Sequence, residues 1–290
     1  MSRQAAGEPP TGIVVLLGPT GAGKTASALA LAEARPVTVV NFDSRQVYED
    51  FPIVTAQPDE GERAVCPHEL YGFLPTNEAM DAAAFTRLAC AEIVRAEAAG
   101  RLPVLVGGTG LYLRALLEGL APIPEVPPEV REAVLARIAD EGPQALHREL
   151  QDIDPKYAAR IHPNDTQRNA RAREVFEATG RPLSWWHGQG EPLMDLNAVL
   201  LGVGLGLDEL YPILERRIEA MLRAGAVAEV ARAWERCPDP EAPGFSGIGC
   251  AELLEHVRGK TDLDDARRRW LANTRAYAKR QLTWFKKESD

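Results

Sequence analysis

The sequence predicts an α/β fold, a parallel sheet with helices on its faces, interrupted by an all-helical insertion. Three observations predict it. Apolar runs of strand length alternate with helical patterns to about residue 120. One strand-to-helix junction carries a glycine-rich loop. A proline-dense stretch is then followed by helical patterns that no strand pattern interrupts.

The first strand is the run Ile13-Val14-Val15-Leu16-Leu17, and it leads into GPTGAGKT at 18–25 and a helical pattern over Ala26–Ala34. A glycine-rich turn that opens a helix after a strand aims its backbone N–H groups and the helix N-terminus at a polyphosphate. Gly18, Pro19, Thr20, Gly21, Ala22, Gly23, Lys24 and Thr25 are therefore the expected diphosphate cradle. Lys24 would neutralise phosphate charge, and the Thr25 hydroxyl would hold Mg²⁺. The predicted core is P-loop NTPase-like.

The second strand, Val37 to Phe42, ends at Asp43-Ser44-Arg45-Gln46. A helical stretch over Asp81–Ala99 and a strand over Pro103–Val106 follow, and that strand runs into Gly107-Gly108-Thr109-Gly110. In a nucleotide hydrolase a further apolar strand, for which Pro103–Val106 is the best candidate here, ends in an Asp that orients Mg²⁺ and the attacking water. No carboxylate follows Val106. Asp43 is instead the candidate general base, beside Ser44, Arg45 and Gln46, which suit a polar acceptor; its plainer alternative is to cap the following turn. Ligands of open α/β sheets collect at the C-terminal ends of strands. The loops at 18–25, 43–46 and 107–110 all fall at such ends, so one pocket can gather them.

Residues 121–128 hold four prolines in eight positions, which ends helix and central strand alike. Helical patterns resume at Glu129, with Val130, Val134, Leu135 and Ile138 on one face, and continue over Pro143–Gln151, Pro155–Arg160 and Asp165–Thr179. Ala198 to Leu205 reads as the return strand, followed by helices near 208–224, 225–236, 248–257 and 262–287. The expected organisation is a core in two parts, 1–121 and 186–290, around a helical insertion at 122–185.

A net charge of −9 and an isoelectric point near 5.2 exclude a protein that coats nucleic acid by bulk positive charge. Local patches decide instead. Between Ala266 and Lys287 stand eight basic residues (Arg267, Arg268, Arg269, Arg275, Lys279, Arg280, Lys286 and Lys287) and no acidic one. Trp270, Tyr277 and Trp284 recur every seven residues on the same stretch, a spacing that reads as packing before base stacking. Arg160, Arg168, Arg171, Arg173 and Arg181 form a second cluster, in the insertion. Two clusters on separate units suit a long anionic ligand. Cys66, Cys90, Cys237 and Cys250 show no CxxC pair, and Cys66 with His68 reads as packing. No run of about 18 apolar residues occurs, and the N-terminal stretch lacks a signal pattern. A cytoplasmic protein with no membrane association is expected.

Taken together, these segments resemble the tRNA dimethylallyltransferases, also called tRNA isopentenyltransferases. The resemblance runs from about Ile13 to Lys287. It is carried by GPTGAGKT at 18–25, FDSRQVY at 42–48, LVGGTGLYLRALLEG at 105–119, RIHPNDTQRNARAREVFEATG at 160–180 and TRAYAKRQLTWF at 274–285. The first is generic; the others, in this order and spacing, are specific.

The resemblance implies transfer of a dimethylallyl group from dimethylallyl diphosphate to N6 of the adenosine 3′ of the anticodon, in tRNAs reading codons that begin with U. Mg²⁺ is the implied cofactor, the tRNA anticodon stem-loop the partner, and a monomer the expected state. Asp43, Thr109 and Arg217 are the implied catalytic residues, Asp43 taking the N6 proton and the other two serving the diphosphate. Asp43, Ser44, Arg45, Gln46 and Thr109, with Arg131 and the run Gln167, Arg168, Asn169, Ala170, Arg171, are the implied tRNA contacts, along with the loop around Ser246 to Ala251. The target base must leave its stack. Departures from the family occur at Gly249-Cys250-Ala251, which lacks the usual aromatic and cation, at Thr55-Ala56-Gln57-Pro58, one cation short, and after Pro67-His68. They predict altered RNA affinity.

Three rivals remain on the sequence: an adenylate isopentenyltransferase using free nucleotide, a nucleotide kinase or ATPase, and a non-catalytic RNA binder.

Overall fold

The computed structural model describes residues 11–288, with side chains from Gly12 to Phe285. In chain order it runs β1 Thr11–Leu17, α1 Lys24–Ala34, β2 Val37–Asn41, α2 Glu60–Val65, β3 His68–Glu69, α3 Ala82–Ala98, β4 Leu102–Val106 and α4 Gly110–Leu117. Next come α5 Pro128–Glu141, α6 Pro143–Ile153, α7 Pro155–Ala158, α8 Thr166–Thr179 and α9 Leu183–His187. The chain closes with β5 Leu196–Gly202, α10 Leu207–Arg223, α11 Ala226–Arg236, a 3-10 turn at Pro243–Ser246, α12 Cys250–Val257 and α13 Leu263–Glu288.

The five strands form one parallel sheet in the order β3-β2-β4-β1-β5. β2 is buried at every position and β4 at four of five, as expected for parallel strands covered on both faces. Ile13, Val15, Val40 and Leu105 pack on one side against Phe85, Ala89 and Ile93 of α3 and Tyr112, Leu113 and Leu116 of α4. Leu16, Val39, Val104 and Val106 pack on the other side with Ala28 of α1. A separate core joins Phe51 and Val54 to Val230, Phe245, Leu253 and Trp270, and so fastens α11, α12 and α13 to the segment after β2. Because β4 lies between β2 and β1, the loops that follow these three strands are neighbours.

The chain divides into two compact units, one of residues 1–117 with 193–290 and the other Glu118–Pro192. The second holds α5 to α9 and builds its own core from Leu150, Ala158, Ala172, Val175 and Leu183. It reaches further on both sides than the sequence boundaries of 122 and 185, because the flanking segments belong to it. Leu120 and Glu191 pair as an antiparallel bridge, and Gly119, at φ +84°, lies against the Glu191 backbone.

Several elements escape a reading by pattern. β3 is two residues long, too short for any period. α2 has no buried side chain; its start is fixed by a capping box in which Asp59 accepts the Glu62 N–H and Glu62 accepts the Asp59 N–H. α4 and α9 are also additions. The return strand stops at Gly202 rather than Leu205, because Gly202, Gly204 and Gly206 interrupt strand-forming residues. β5 is an edge strand, and Val199, Leu200 and Leu201 are exposed.

Candidate active site

The loops after β1 and β2 supply one wall of a cavity of about 350 Å³ in the core unit, through Thr20 and through Asp43, Ser44 and Arg45, while the loop after β4 stands behind that wall and contributes no lining residue. α10 and α13 supply the opposite wall. Its polar lining includes Thr20, Asp43, Ser44, Arg45, Arg217 and Arg280, and its apolar lining Val54, Leu214, Ile218, Met221, Ile248 and Trp270. Three arginines and one carboxylate therefore face the same space, in a chain whose total charge is negative. That local excess of cations suits an anion.

The phosphate loop begins where Gly18 leaves β1. A Cβ at Gly18 would come within 2.1 Å of the Val203 carbonyl oxygen, so only glycine lets the loop start this close to the end of β5. Gly23 adopts φ +92° and serves as the N-cap of α1. The first backbone N–H groups of that helix have no partner within it, which is the donor set an anion needs. Lys24 Nζ donates to the carbonyls of Gly18 and Pro19, each at 2.9 Å. An ammonium has three protons, so one remains for a ligand. Burial lowers the Lys24 pKa to about 8; Asp43 opposes the shift and Arg217 adds to it. Burial likewise draws Arg217 below the usual arginine range, again against the pull of Asp43. Lys24, Arg217 and Asp43 thus sense one another electrostatically.

Asp43 is held by its own strand. Its N–H donates to Asn41 Oδ1 at 2.7 Å, while Asn41 Nδ2 donates to the Asp43 and Leu70 carbonyls. Asp43 Oδ1 accepts the Arg45 N–H at 2.9 Å. The turn cap therefore occupies one oxygen, Oδ1. The Thr109 hydroxyl accepts the Ser44 N–H at 3.0 Å and donates to Ser44 Oγ at 3.2 Å, tying the loop after β4 to the loop after β2. Arg45 reaches across to the Pro243 carbonyl and to Ser246 Oγ. Gln46 Nε2 donates to the Thr55 and Ala56 carbonyls, which pins the segment after β2, and Gln46 itself is not among the cavity's lining residues.

The predicted residues thus divide. Asp43, Ser44, Arg45 and Arg217 line the cavity together with Thr20 of the phosphate loop, and Thr109 braces it. Arg131, Gln167, Arg168 and Arg171 lie on the helical unit with exposed side chains. Arg168 pairs there with Asp165 and Arg171 with Glu174. Asn169 and Ala170 correct the expectation of direct contact. Both are buried, and Asn169 Nδ2 donates to the carbonyls of His162, Pro163 and Asp165 while its Oδ1 faces His147 Nδ1. Asn169 shapes the turn that presents its exposed neighbours.

The basic stripe is corrected as well. Arg267 pairs with Glu219, Arg275 with Glu215, and Arg268 and Arg269 share Asp265, so three acids of α10 and of the first turn of α13 offset most of the charge of these four. The side chains of Lys286 and Lys287 lie outside the described residues. The aromatic repeat splits by depth: Trp270 is fully packed and also lines the cavity, Tyr277 lines it beside Arg280, and Trp284 covers Gly110. Cys250 is buried in the core rather than placed at a binding surface, and burial raises its thiol pKa.

Asn41 and Gln281 went unsignalled as site residues in the sequence. Asn41 is a buried polar residue at the end of an apolar strand, which was its available clue. Among the described residues no cluster of three or more His, Cys, Asp or Glu could hold a metal, and no helix is long and apolar enough to cross a membrane.

Comparison with known proteins agrees with this geometry. A family profile described as IPP transferase matches residues 46–288, and one described as Isopentenyl transferase matches residues 11–64. The tRNA dimethylallyltransferase of Maridesulfovibrio salexigens is 59% identical over 278 residues, covering 96% of this chain and 90% of that protein. That of Rhodopseudomonas palustris (strain CGA009) is 47% identical over 277 residues, covering 94% and 86%. Among solved structures, the tRNA isopentenylpyrophosphate transferase of Bacillus halodurans superposes with a TM-score of 0.68 at 34% identity, covering 95% of this chain and 87% of that one. A eukaryotic dimethylallyltransferase acting on tRNA superposes with a TM-score of 0.77 at 28% identity, covering 94% and 69%.

Proposed function

The chain belongs to the tRNA dimethylallyltransferase family, and from that premise we propose how its site performs prenyl transfer to tRNA. The donor is dimethylallyl diphosphate, and the acceptor is N6 of the adenosine 3′ of the anticodon in tRNAs that read U-starting codons. The observation that carries this reading is one cavity lined by Asp43, Arg217 and Thr20 of the phosphate loop together with apolar side chains, with Lys24 close enough to feel the charges of Asp43 and Arg217. A site for an allylic diphosphate needs fixed cations for the leaving group, an apolar surface for the five-carbon tail, and a base on the acceptor side.

The bond that breaks joins the allylic carbon to the diphosphate oxygen, and the bond that forms joins that carbon to N6. Negative charge then grows on the departing diphosphate. The N–H groups at the start of α1, the free proton of Lys24 and the Arg217 guanidinium stabilise it in a buried site, where such donors act most strongly. The N6 proton goes to Asp43 Oδ2. Asp43 is held in place by Asn41, and its loop by Thr109.

Mg²⁺ fits the donors present: a hard cation of this size usually keeps waters and takes substrate phosphate oxygens with one or two protein oxygens, and the Thr25 hydroxyl would be such a ligand. It would supply further neutralisation of the diphosphate. Ser44, Arg45 and Gln46 suit the extruded base, while Arg131, Gln167, Arg168 and Arg171 suit the anticodon arm. A cytoplasmic monomer without membrane association completes the proposal.

Incubating the protein with Mg²⁺, dimethylallyl diphosphate and an anticodon stem-loop should add one C₅H₈ to the RNA by mass spectrometry. Transfer of phosphate from a nucleoside triphosphate, with no prenylated RNA at saturating donor, would instead support a kinase.

A further inference from the structure

Gln281 lies on α13, more than 160 residues from either loop it touches, and it is 5% exposed. Its side-chain amide joins both. Oε1 accepts the N–H of Thr20 in the phosphate loop at 2.9 Å, and Nε2 donates to the carbonyl of Gly108 at 3.1 Å. No other neutral side chain of its length offers one acceptor and two donors at a single planar end, so the two contacts demand an amide. Thr20 precedes the helix-opening N–H groups that serve an anion, so Gln281 holds the entry of the loop and leaves the cradle free. Gly108 precedes Thr109, whose hydroxyl fixes the Asp43-Ser44 turn.

Gly108 itself is fitted to this contact. A Cβ there would stand 2.1 Å from Gln281 Nε2 and 3.4 Å from Gln281 Cδ, with Asp43 Oδ2 beyond them at 3.8 Å. The Gln281 amide thus leaves no room for a methyl group at Gly108, and the Asp43 carboxylate lies within ordinary contact of the same point.

We propose that Gln281 is a positioning residue for the prenyl transfer, an amide bridge that sets the separation between the leaving-group side of the site and the acceptor side. This inference depends on the reaction proposed above. In-line displacement requires nucleophile, allylic carbon and leaving oxygen to be aligned, and a misplacement near 1 Å can cost on the order of 10²-fold in rate. Neither contact of Gln281 is to a reacting atom. Its effect is on the rate of chemistry and not on the affinity for the donor.

The test compares the parent with Gln281→Ala, Gln281→Glu, Gly108→Ala and the double variant Gly108→Ala/Gln281→Ala. Single-turnover prenyl transfer to an anticodon stem-loop is measured beside the dissociation constant for dimethylallyl diphosphate and hydrogen exchange of the loops. Gln281→Glu keeps the acceptor for Thr20 but loses the donor to Gly108, so it should be slow while remaining close to the parent in shape. Each single variant should lose on the order of 10²-fold in rate with donor affinity within about threefold. The double variant should be no more than about threefold worse than the slower single, because both changes break the same contact. Exchange should rise at residues 18–23 and 107–110 and nowhere else.

Rates within twofold of the parent would overturn the proposal, as would losses that multiply in the double variant. So would donor affinity that falls in step with rate, or exchange that rises evenly along the chain, since these signal a binding role or simple destabilisation. A parent that yields no prenylated RNA would count against the reaction itself, and the exchange pattern would still judge the bridge.

Discussion

At the scale of single residues, the site separates binding from proton transfer, and two predictions follow from that separation. Asp43 Oδ1 is committed to the Arg45 N–H, which an asparagine oxygen can also accept, while Oδ2 is the atom that would take the N6 proton. Asp43→Asn should therefore keep the turn and the affinity for an anticodon stem-loop but lose about 10²–10⁴-fold in single-turnover rate; equal loss of affinity would assign Asp43 to binding alone. Lys24 gives the second prediction. Its pKa is lowered to about 8 by burial, and a bound diphosphate favours the ammonium form, so the bound-state value must be higher. Donor affinity should accordingly be at its maximum below pH 8 and fall as the pH rises beyond it, approaching about tenfold per unit until the bound-state pKa is reached. Calorimetric titration of dimethylallyl diphosphate between pH 7 and 9.5 should show this decline in the parent. It should be absent in Lys24→Gln, whose affinity is lower throughout.

At the scale of elements, the site depends on how closely two loops approach. A Cβ at Gly107 would stand 2.5 Å from the Phe42 carbonyl carbon and 2.7 Å from the Asp43 nitrogen. Both are backbone atoms, which cannot swing aside. Gly107→Ala should therefore push apart the loops after β2 and β4, costing about 1–3 kcal/mol in a denaturant melt and slowing transfer more than its stability loss explains; a rate unchanged beside the parent would refute the close-approach argument. The same pair of loops marks how far the sequence could be read. Gly18 to Thr25, Asp43 to Gln46 and Gly107 to Gly110 were legible, because each is a contiguous run at the end of an apolar strand and the parallel order makes their neighbourhood predictable. The far wall was not, since Leu214, Arg217, Tyr277 and Arg280 come from helices whose amphipathic pattern says which face is buried but not against what. Arg217 was recoverable only through family likeness. Gln281 sat within a motif that carried the resemblance, yet its role became visible only when its two partners were fixed in space. The arginines of α13 show the converse limit, for a run of basic residues says nothing of the acids on α10 that pair with Arg267 and Arg275.

At the scale of the whole molecule, the function proposed above puts the chemistry and the contacts to the extruded base on one unit of the chain and the contacts to the anticodon arm on the other. Every residue lining the cavity belongs to the core unit, whereas Arg131, Gln167, Arg168 and Arg171 belong to Glu118–Pro192. That second unit has its own buried cluster around Leu150 and Val175, and its two ends meet at the Leu120–Glu191 bridge. A segment whose ends are adjacent and whose core is its own can be removed with a short closure, because few stabilising contacts of the remainder are lost and the chain need not span a gap. Replacing residues 120–191 by a short glycine-serine link should therefore leave a folded core that binds dimethylallyl diphosphate within about threefold of the parent. Its affinity for the anticodon stem-loop should fall by at least tenfold, and its preference for the stem-loop over AMP as acceptor should shrink correspondingly. This outcome would make the core a general adenine prenylating site and the helical unit the source of tRNA selectivity. Undiminished stem-loop affinity would place RNA recognition in the core, on Arg45, Arg280 and the loop at Ser246, and the helical unit would then need another explanation.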